Sequence, residues 1–227
     1  DLHEQTDSLS KLVRRLVTEV PGVRVRLGSI EATEIDDLMV ELLEDGRGLV
    51  PHLHIPMQSG ADPVLRAMRR WHTREQYRSR VLHIAQRMGY LGLGADVIVG
   101  FPGESHADHA STRALIEELP FTYLHVFPYS ERDGTHAATL GDTIDGTRKA
   151  ERSLDLRELA QAKGEAYRRG RVGQAAELVV EADGFGLSED YLHVRLTGDA
   201  SRRVGDLLYA PLGWDPLESG GGLVANA

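Results

Sequence analysis

Four short polar tracts hold the residue types that could do chemistry: Gly28-Ser29-Ile30-Glu31, Gln58-Ser59-Gly60, Gly100-Phe101-Pro102-Gly103-Glu104 and Tyr129-Ser130-Glu131-Arg132-Asp133-Gly134-Thr135. Glycines such as Gly100 and Gly103 let backbone N–H groups approach an adenine, a ribose or a carboxylate closely, although a bare tight turn would use them too. Glu104 is the kind of acid that a helix N-terminus favours. Gln58 is either a ligand-facing amide or a satisfied buried one, because burying it without partners costs about 1–3 kcal/mol. Ser59-Gly60 lacks the Gly-x-Ser-x-Gly elbow of a hydrolase and has no credible base and acid partners. Gly92-Leu-Gly94 lacks a third glycine and precedes its strand, so it is no dinucleotide fingerprint. His52-Leu-His54 puts two imidazoles on one strand face, a spacing that suits a divalent metal. Asp96 falls at the start or middle of its strand and His125 inside its own, which leaves that ligand set incomplete. The sequence therefore assigns no metal ligand, and at least one of the two histidines is expected to pack or hydrogen-bond in the interior.

The chain has 227 residues, a formal net charge of −9 from 26 basic and 35 acidic side chains, and no cysteine. That length suits one large domain, or a medium one with a small companion. Its 41% apolar content excludes a disordered chain. Without thiolates, the chain alone can build no disulfide, zinc-thiolate or iron–sulfur site. No apolar run approaches the roughly 20 residues that span a bilayer, and the N-terminus lacks a signal-peptide layout. A cytoplasmic protein is expected, and the absence of an initiator methionine leads to the expectation that upstream sequence is missing.

The elements that must position the polar tracts alternate. Leu9, Leu12, Val13, Leu16, Val17 and Val20 follow helical spacing up to Pro21-Gly22, and Val23–Leu27 alternates as a strand. Thr33 is placed as the cap of a helix that Gly46 ends. A strand at 52–57 leads to Asp62-Pro63, read as a capping carboxylate before a first-turn proline, and a short helix ending near Arg70. Thr73 with Gln76 forms a capping box for the next helix. Ala95–Val99 is almost wholly apolar and is expected to be buried on both faces. A helix over about 105–119 and a strand at 123–127 complete four strands, the first three each followed by a helix, so the sheet should be parallel. After a long charged helix come short alternating strands at 176–181, 191–196 and 206–210, with turn signals between them. The predicted division is 1–146, a connecting helix over 147–171, a small all-β domain over 172–214, and a flexible tail over 215–227.

Every polar tract falls at the carboxyl end of a predicted strand, where parallel α/β folds bind their ligands. Positive charge is concentrated as well. Residues 147–172 hold eight basic side chains against four acids, Arg168, Arg169 and Arg171 among them, and residues 62–87 hold seven arginines against Asp62 and Glu75. A solvated helix face accounts for such runs. So does a phosphate-backbone footprint, to which a neighbouring small β barrel lends weight.

The order His52-Leu-His-Ile-Pro-Met-Gln-Ser-Gly-Ala-Asp62, then Met68-Arg-Arg with Thr73-Arg-Glu, then Asp96-Val-Ile-Val-Gly-Phe-Pro-Gly-Glu104, then Leu124-His-Val-Phe-Pro-Tyr-Ser-Glu-Arg-Asp-Gly-Thr135 resembles the radical S-adenosylmethionine methylthiotransferases. The wording of these motifs is most similar to the branch acting on N6-threonylcarbamoyladenosine in tRNA. The resemblance implies an α/β fold in which the chain supplies the last four βα units of a partial (β/α)6 TIM-like barrel, followed by a small TRAM domain of OB-like type. It implies S-adenosylmethionine and two [4Fe–4S] clusters in the intact family, with the cluster cysteines in an N-terminal portion preceding this chain. The chain alone is then expected to be inactive, with no catalytic residue of its own to name. By the same resemblance Ser29 and Glu31 face the ribose or amino-acid end of the cosubstrate, and Gln58, Ser59 and Gly60 line the pocket floor. Gly100, Pro102 and Gly103 approach the adenosine, while Tyr129, Arg132 and Thr135 lie nearer the target adenosine. Arg168, Arg169 and Arg171, with the TRAM-like domain, hold the tRNA anticodon stem-loop. Two rival readings remain: a non-catalytic RNA-binding remnant and a His-x-His metal-dependent hydrolase.

Overall fold

A computed structural model describes residues 8–141, 143–198, 203–216 and 222–226. The chain divides into two compact units, Asp1–Lys163 and Gly164–Ala227. The division falls inside a long helix rather than after it.

In the first unit, α1 (Leu9–Glu19) starts where the Ser8 hydroxyl accepts from the Lys11 N–H, and it turns Val13 inward. A 3-10 turn occupies Ala32–Glu34, so α2 (Asp37–Asp45) is capped by Asp36, which accepts from Met39 N at 2.8 Å, and not by Thr33. Gly46 closes α2 in the left-handed region, φ 65°. Strand β1 (His52–His54) is followed by α3 (Asp62–Ala67) and α4 (Arg74–Arg87). Asp62 does not cap α3. Its carboxylate lies inside the helix and accepts from Arg74 N at 2.7 Å, which ties α3 to the start of α4. The Thr73–Gln76 capping box of α4 forms as expected. Strand β2 (Gly92–Val99), α5 (His106–Glu118), β3 (Tyr123–Pro128) and α6 (Gly146–Arg171) follow.

The three strands lie in the order β1-β2-β3, all parallel. The first of the four expected strands, 23–27, does not form as a strand; single bridges join Val25 to Leu49 and Ser29 to His54 of β1. Those bridges are out of step by one residue, and Pro51 in the gap has no N–H to extend a ladder. One face of the sheet is apolar: Leu53, Leu93, Ala95, Val97 and Val99 are essentially buried, in the same core as Ile84 and Leu115. Period-two alternation puts His52, His54, Gly94, Asp96, Tyr123 and His125 on the other face. The expectation that β2 is buried on both faces is therefore corrected, because Asp96 and Ile98 are only partly covered.

The second unit is a closed barrel. Its strands β4 (Ala175–Val180), β5 (Phe185–Ser188), β6 (His193–Thr197), β7 (Leu207–Asp215) and β8 (Gly222–Asn226) run in the order β4-β5-β6-β8-β7, and β4 pairs with β7 to close the ring. Inward-facing Leu178, Val194, Leu208, Leu212 and Leu223 build its core. The expected flexible tail contains the closing strand. Leu223 and Ala225 point inward while β8 pairs parallel to β6 and antiparallel to β7, so the segment is held on both edges. The rest of that expected tail at 217–221 and 227 lies outside the described residues.

Candidate functional site

A cavity of about 400 Å³ opens at the carboxyl end of the sheet, with Gln58, Met68, Arg70, Ile98, Phe101 and Thr135 in its wall. Two wall residues other than glycine have left-handed backbones, Gln58 at φ 63° and Arg69 at φ 57°. That conformation costs about 1–3 kcal/mol and persists only where the surroundings impose it. For Gln58 the surroundings are β2: its N–H donates to the Asp96 carbonyl at 2.8 Å, and its carbonyl accepts from Ile98 N at 2.9 Å. Phe101 packs edge-on against Tyr129, with centroids 5.2 Å apart. The Tyr129 hydroxyl is buried with no hydrogen-bond partner among the described residues.

The expected site residues separate. Gln58 and Thr135 line the cavity. Ser59 and Gly60 turn away from it toward α5, where the Ser59 hydroxyl meets Thr112 Oγ1 at 3.3 Å. A Cβ on Gly60 would lie 2.7 Å from the Thr112 Cα, so this glycine serves helix-on-sheet packing. Gly100 has φ 72°, but its N–H already donates to Glu104 Oε2 at 2.6 Å, and a Cβ there would meet Lys149 Cγ at 2.4 Å. Glu104 is itself buried in an ion pair with Arg152. This corrects the reading of Gly100 as a free backbone donor. Pro102 is buried and Gly103 is exposed, at φ 81°. The Glu31 carboxylate receives Arg70 Nη2 at 2.5 and 2.7 Å, while Ser29 is exposed beside β1. Arg132 is exposed, and its carbonyl accepts from the Thr135 hydroxyl at 2.8 Å.

No protein-family model matches the chain. It is 40% identical over 175 residues to the threonylcarbamoyladenosine tRNA methylthiotransferase of Bacillus subtilis, covering 77% of this chain and 39% of that protein. It is 35% identical over 210 residues to the protein of the same name from Rickettsia prowazekii, covering 90% and 48%. A tRNA-2-methylthio-N(6)-dimethylallyladenosine synthase of Thiobacillus denitrificans is 38% identical over 167 residues, covering 73% and 37%. The chain belongs to the methylthiotransferase family. It spans less than half the length of these relatives. Among solved structures, coproporphyrinogen III oxidase from Escherichia coli, described as a radical SAM enzyme, superposes with a TM-score of 0.56 at 16% identity. That likeness covers 82% of this chain and 51% of the oxidase, and it is one of fold.

The basic end of α6 is largely occupied. Arg171 is 2% exposed, with Nε on Asp190 Oδ2 at 2.8 Å and Nη2 on Glu189 Oε1 at 3.3 Å, which corrects its assignment to a nucleic-acid face. Arg169 lies over Trp214, 4.3 Å from the ring centroid, and pairs with Glu165. Arg168 is half-buried. On the polar sheet face His54, Asp96 and His125, read from sequence as an incomplete ligand set, are brought together, with Tyr123 the member that reading missed. Tyr123 Oη lies 2.9 Å from His52 Nε2 and 3.2 Å from His54 Nδ1. Asp96 Oδ1 lies 3.2 Å from both His54 Nε2 and His125 Nδ1. Register is what joins them, since Asp96 faces His125 directly and His54 faces Gly94, two residues before Asp96.

Proposed function

We propose that the protein takes part in methylthiolation of N6-threonylcarbamoyladenosine in tRNA, in the cytoplasm. The observation that carries this reading is 40% identity over 77% of the chain to a methylthiotransferase named for that nucleoside. The three polar tracts that follow β1, β2 and β3 support it, as does a small barrel of the kind that binds oligonucleotides. The finer architecture belongs to the same reading: the last four βα units of a partial barrel, the first of them reduced here to single bridges, followed in the chain by a TRAM-like RNA-binding domain.

The cavity suits S-adenosylmethionine. Its volume lies in the roughly 300–1,000 Å³ range of small-molecule sites, Phe101 and Met68 give it apolar walls, and Arg70 and Gln58 place polar groups at its edge. Next to the wall residue Phe101, the buried Tyr129 hydroxyl is a polar group without a partner among the described residues. Iron–sulfur clusters do not fit this chain, which offers no cysteine thiolate to hold one. Its residues would bind and orient the cosubstrate and the modified adenosine while cluster ligands come from elsewhere.

The experiment is nucleoside mass spectrometry of tRNA from cells with and without the gene. Deletion is expected to leave N6-threonylcarbamoyladenosine without its methylthio group. An unchanged level of the methylthiolated nucleoside would overturn the reading.

A further inference from the structure

We propose that His54, Asp96 and His125 form a binding site for a single divalent transition-metal ion of the zinc type. Three ligand atoms, one from each residue, lie within 4.8 Å of one another. Two imidazoles and one carboxylate make up a ligand set that suits zinc, cobalt or nickel, and zinc sites with three protein ligands keep a fourth position open.

The separations point to the ion. Ligands about 2.0–2.2 Å from a tetrahedral zinc stand about 3.3 Å from one another. The carboxylate oxygen of Asp96 lies 3.2 Å from His54 Nε2 and 3.2 Å from His125 Nδ1, so two edges of the ligand triangle already have the required length. The third edge, between the imidazoles, closes by rotation of the His125 ring. That side chain is 54% exposed, and its ring contacts are with His54, Tyr123 and Phe127.

Orientation supplies a second, independent observation. Histidines that bind metals have the other ring nitrogen fixed by a hydrogen bond. His54 Nδ1 is held 3.2 Å from the Tyr123 hydroxyl, which in turn lies 2.9 Å from His52 Nε2, and this leaves His54 Nε2 aimed at Asp96. Gly94 makes the arrangement possible. A Cβ at that position would stand 2.0 Å from the Tyr123 ring, so only glycine admits the tyrosine that holds His54. The three ligands come from three adjacent parallel strands, which fixes their spacing better than loops would. Asp96 shares its sheet face with Ile98, a wall residue of the cavity.

The test is calorimetric titration of the untagged, chelator-treated chain with zinc chloride, and in parallel the visible absorption of the cobalt-loaded protein. One equivalent of zinc is expected to bind, with cobalt bands of low-coordinate geometry. His125→Asn removes a half-exposed ligand without disturbing the core, and it is expected to weaken zinc binding at least about 100-fold and abolish those bands. Tyr123→Phe is expected to weaken it about 10-fold through loss of orientation. His83→Asn, a surface histidine on α4, is expected to change nothing. Absence of a one-equivalent event in the parent chain would overturn the proposal, as would a His125→Asn chain that folds normally and binds zinc as the parent does. In either case Asp96 simply receives hydrogen bonds from the two imidazoles. These readouts are independent of tRNA modification, so they fail separately from the reading above.

Discussion

In the barrel every strand has two neighbours, and Leu178, Val194, Leu208, Leu212 and Leu223 close on one another inside. Its buried charges, Arg171 against Asp190 and Glu189, are consumed in holding the end of α6 to the β5–β6 turn. In the parallel sheet one face is just as apolar, yet the other carries three histidines, a tyrosine and an aspartate brought together by the β1–β2 and β2–β3 registers. The difference lies in what closure demands. A closed ring has one inside, and a charge near it must be cancelled by its own neighbours. An open sheet packed against helices on one side has a second face on which polar groups can be arranged for a ligand.

The sharpest way to break this comparison is Arg171→Met. Removing the cation leaves two buried carboxylates uncompensated, which costs about 3–5 kcal/mol where a buried pair is broken. Hydrogen exchange followed strand by strand should show protection collapsing in β4–β8 and persisting in β1–β3. Arg168→Met should stay within about 0.5 kcal/mol, as substitutions away from buried networks do. If the two variants behave alike, Arg171 is a surface residue and its return to the nucleic-acid face is warranted.

Gly94→Ala tests the polar face in the same way. The added methyl would sit 2.0 Å from the Tyr123 ring, so the ring must leave its place between His52 and His54. A loss of about 1–3 kcal/mol is expected in denaturant unfolding, the usual range for overpacking. The double variant Gly94→Ala, Tyr123→Leu should recover part of that loss, because coupled neighbours are non-additive. Strict additivity would show that the tyrosine is not what Gly94 accommodates.

Local signals made much of this legible. The Thr73–Gln76 box, the Gly46 stop and the apolar spacing of β2 are decided within a few residues of chain, so pattern alone finds them. Asp36 in place of Thr33, and Asp62 reaching forward to Arg74, depend on which of two nearby acceptors the fold uses. The tail strand β8 was hidden because five residues after a glycine run gain their structure only from β6 and β7 on either side. Of the residues singled out from sequence, Gln58 and Thr135 line the cavity, whereas Ser59 and Gly60 are taken up by packing against α5. His54, Asp96 and His125 come from segments far apart in sequence, and only strand register makes them neighbours.

A smaller effect belongs to the barrel's outer surface. Arg169 stacks on Trp214 and pairs with Glu165, both exposed contacts. Arg169→Gln should cost about 0.5–1 kcal/mol, the scale of an exposed cation–π contact, read as a shift in the barrel's unfolding midpoint. A loss several times larger would mean that this stack is part of the structural core, as Arg171 is.

The smallest predicted effect is a pH dependence confined to the α/β unit. His72 is buried beside Tyr77, 5.4 Å away between ring centroids. Burial, reinforced by the charge of Arg70, holds its pKa below the ordinary value of 6.5, while a hydrogen bond to the Met57 backbone and the carboxylates of Glu31 and Asp62 act the other way. In the unfolded chain the imidazole takes up its proton near pH 6.5, whereas the native protein resists it until lower pH. Between those two values the unfolded state binds more protons, so native stability falls as the medium is acidified. The stabilisation is complete above the unfolded value, declines as the pH drops through it, and stops declining once the native imidazole is protonated as well. Urea unfolding at about pH 7.5 and about pH 5.5 should therefore show the α/β unit losing stability, and His72→Gln should flatten the difference. The barrel transition serves as the internal control, because its strands contain none of the groups around His72. An equal slope in parent and variant would mean that the acid sensitivity of the α/β unit arises from another group.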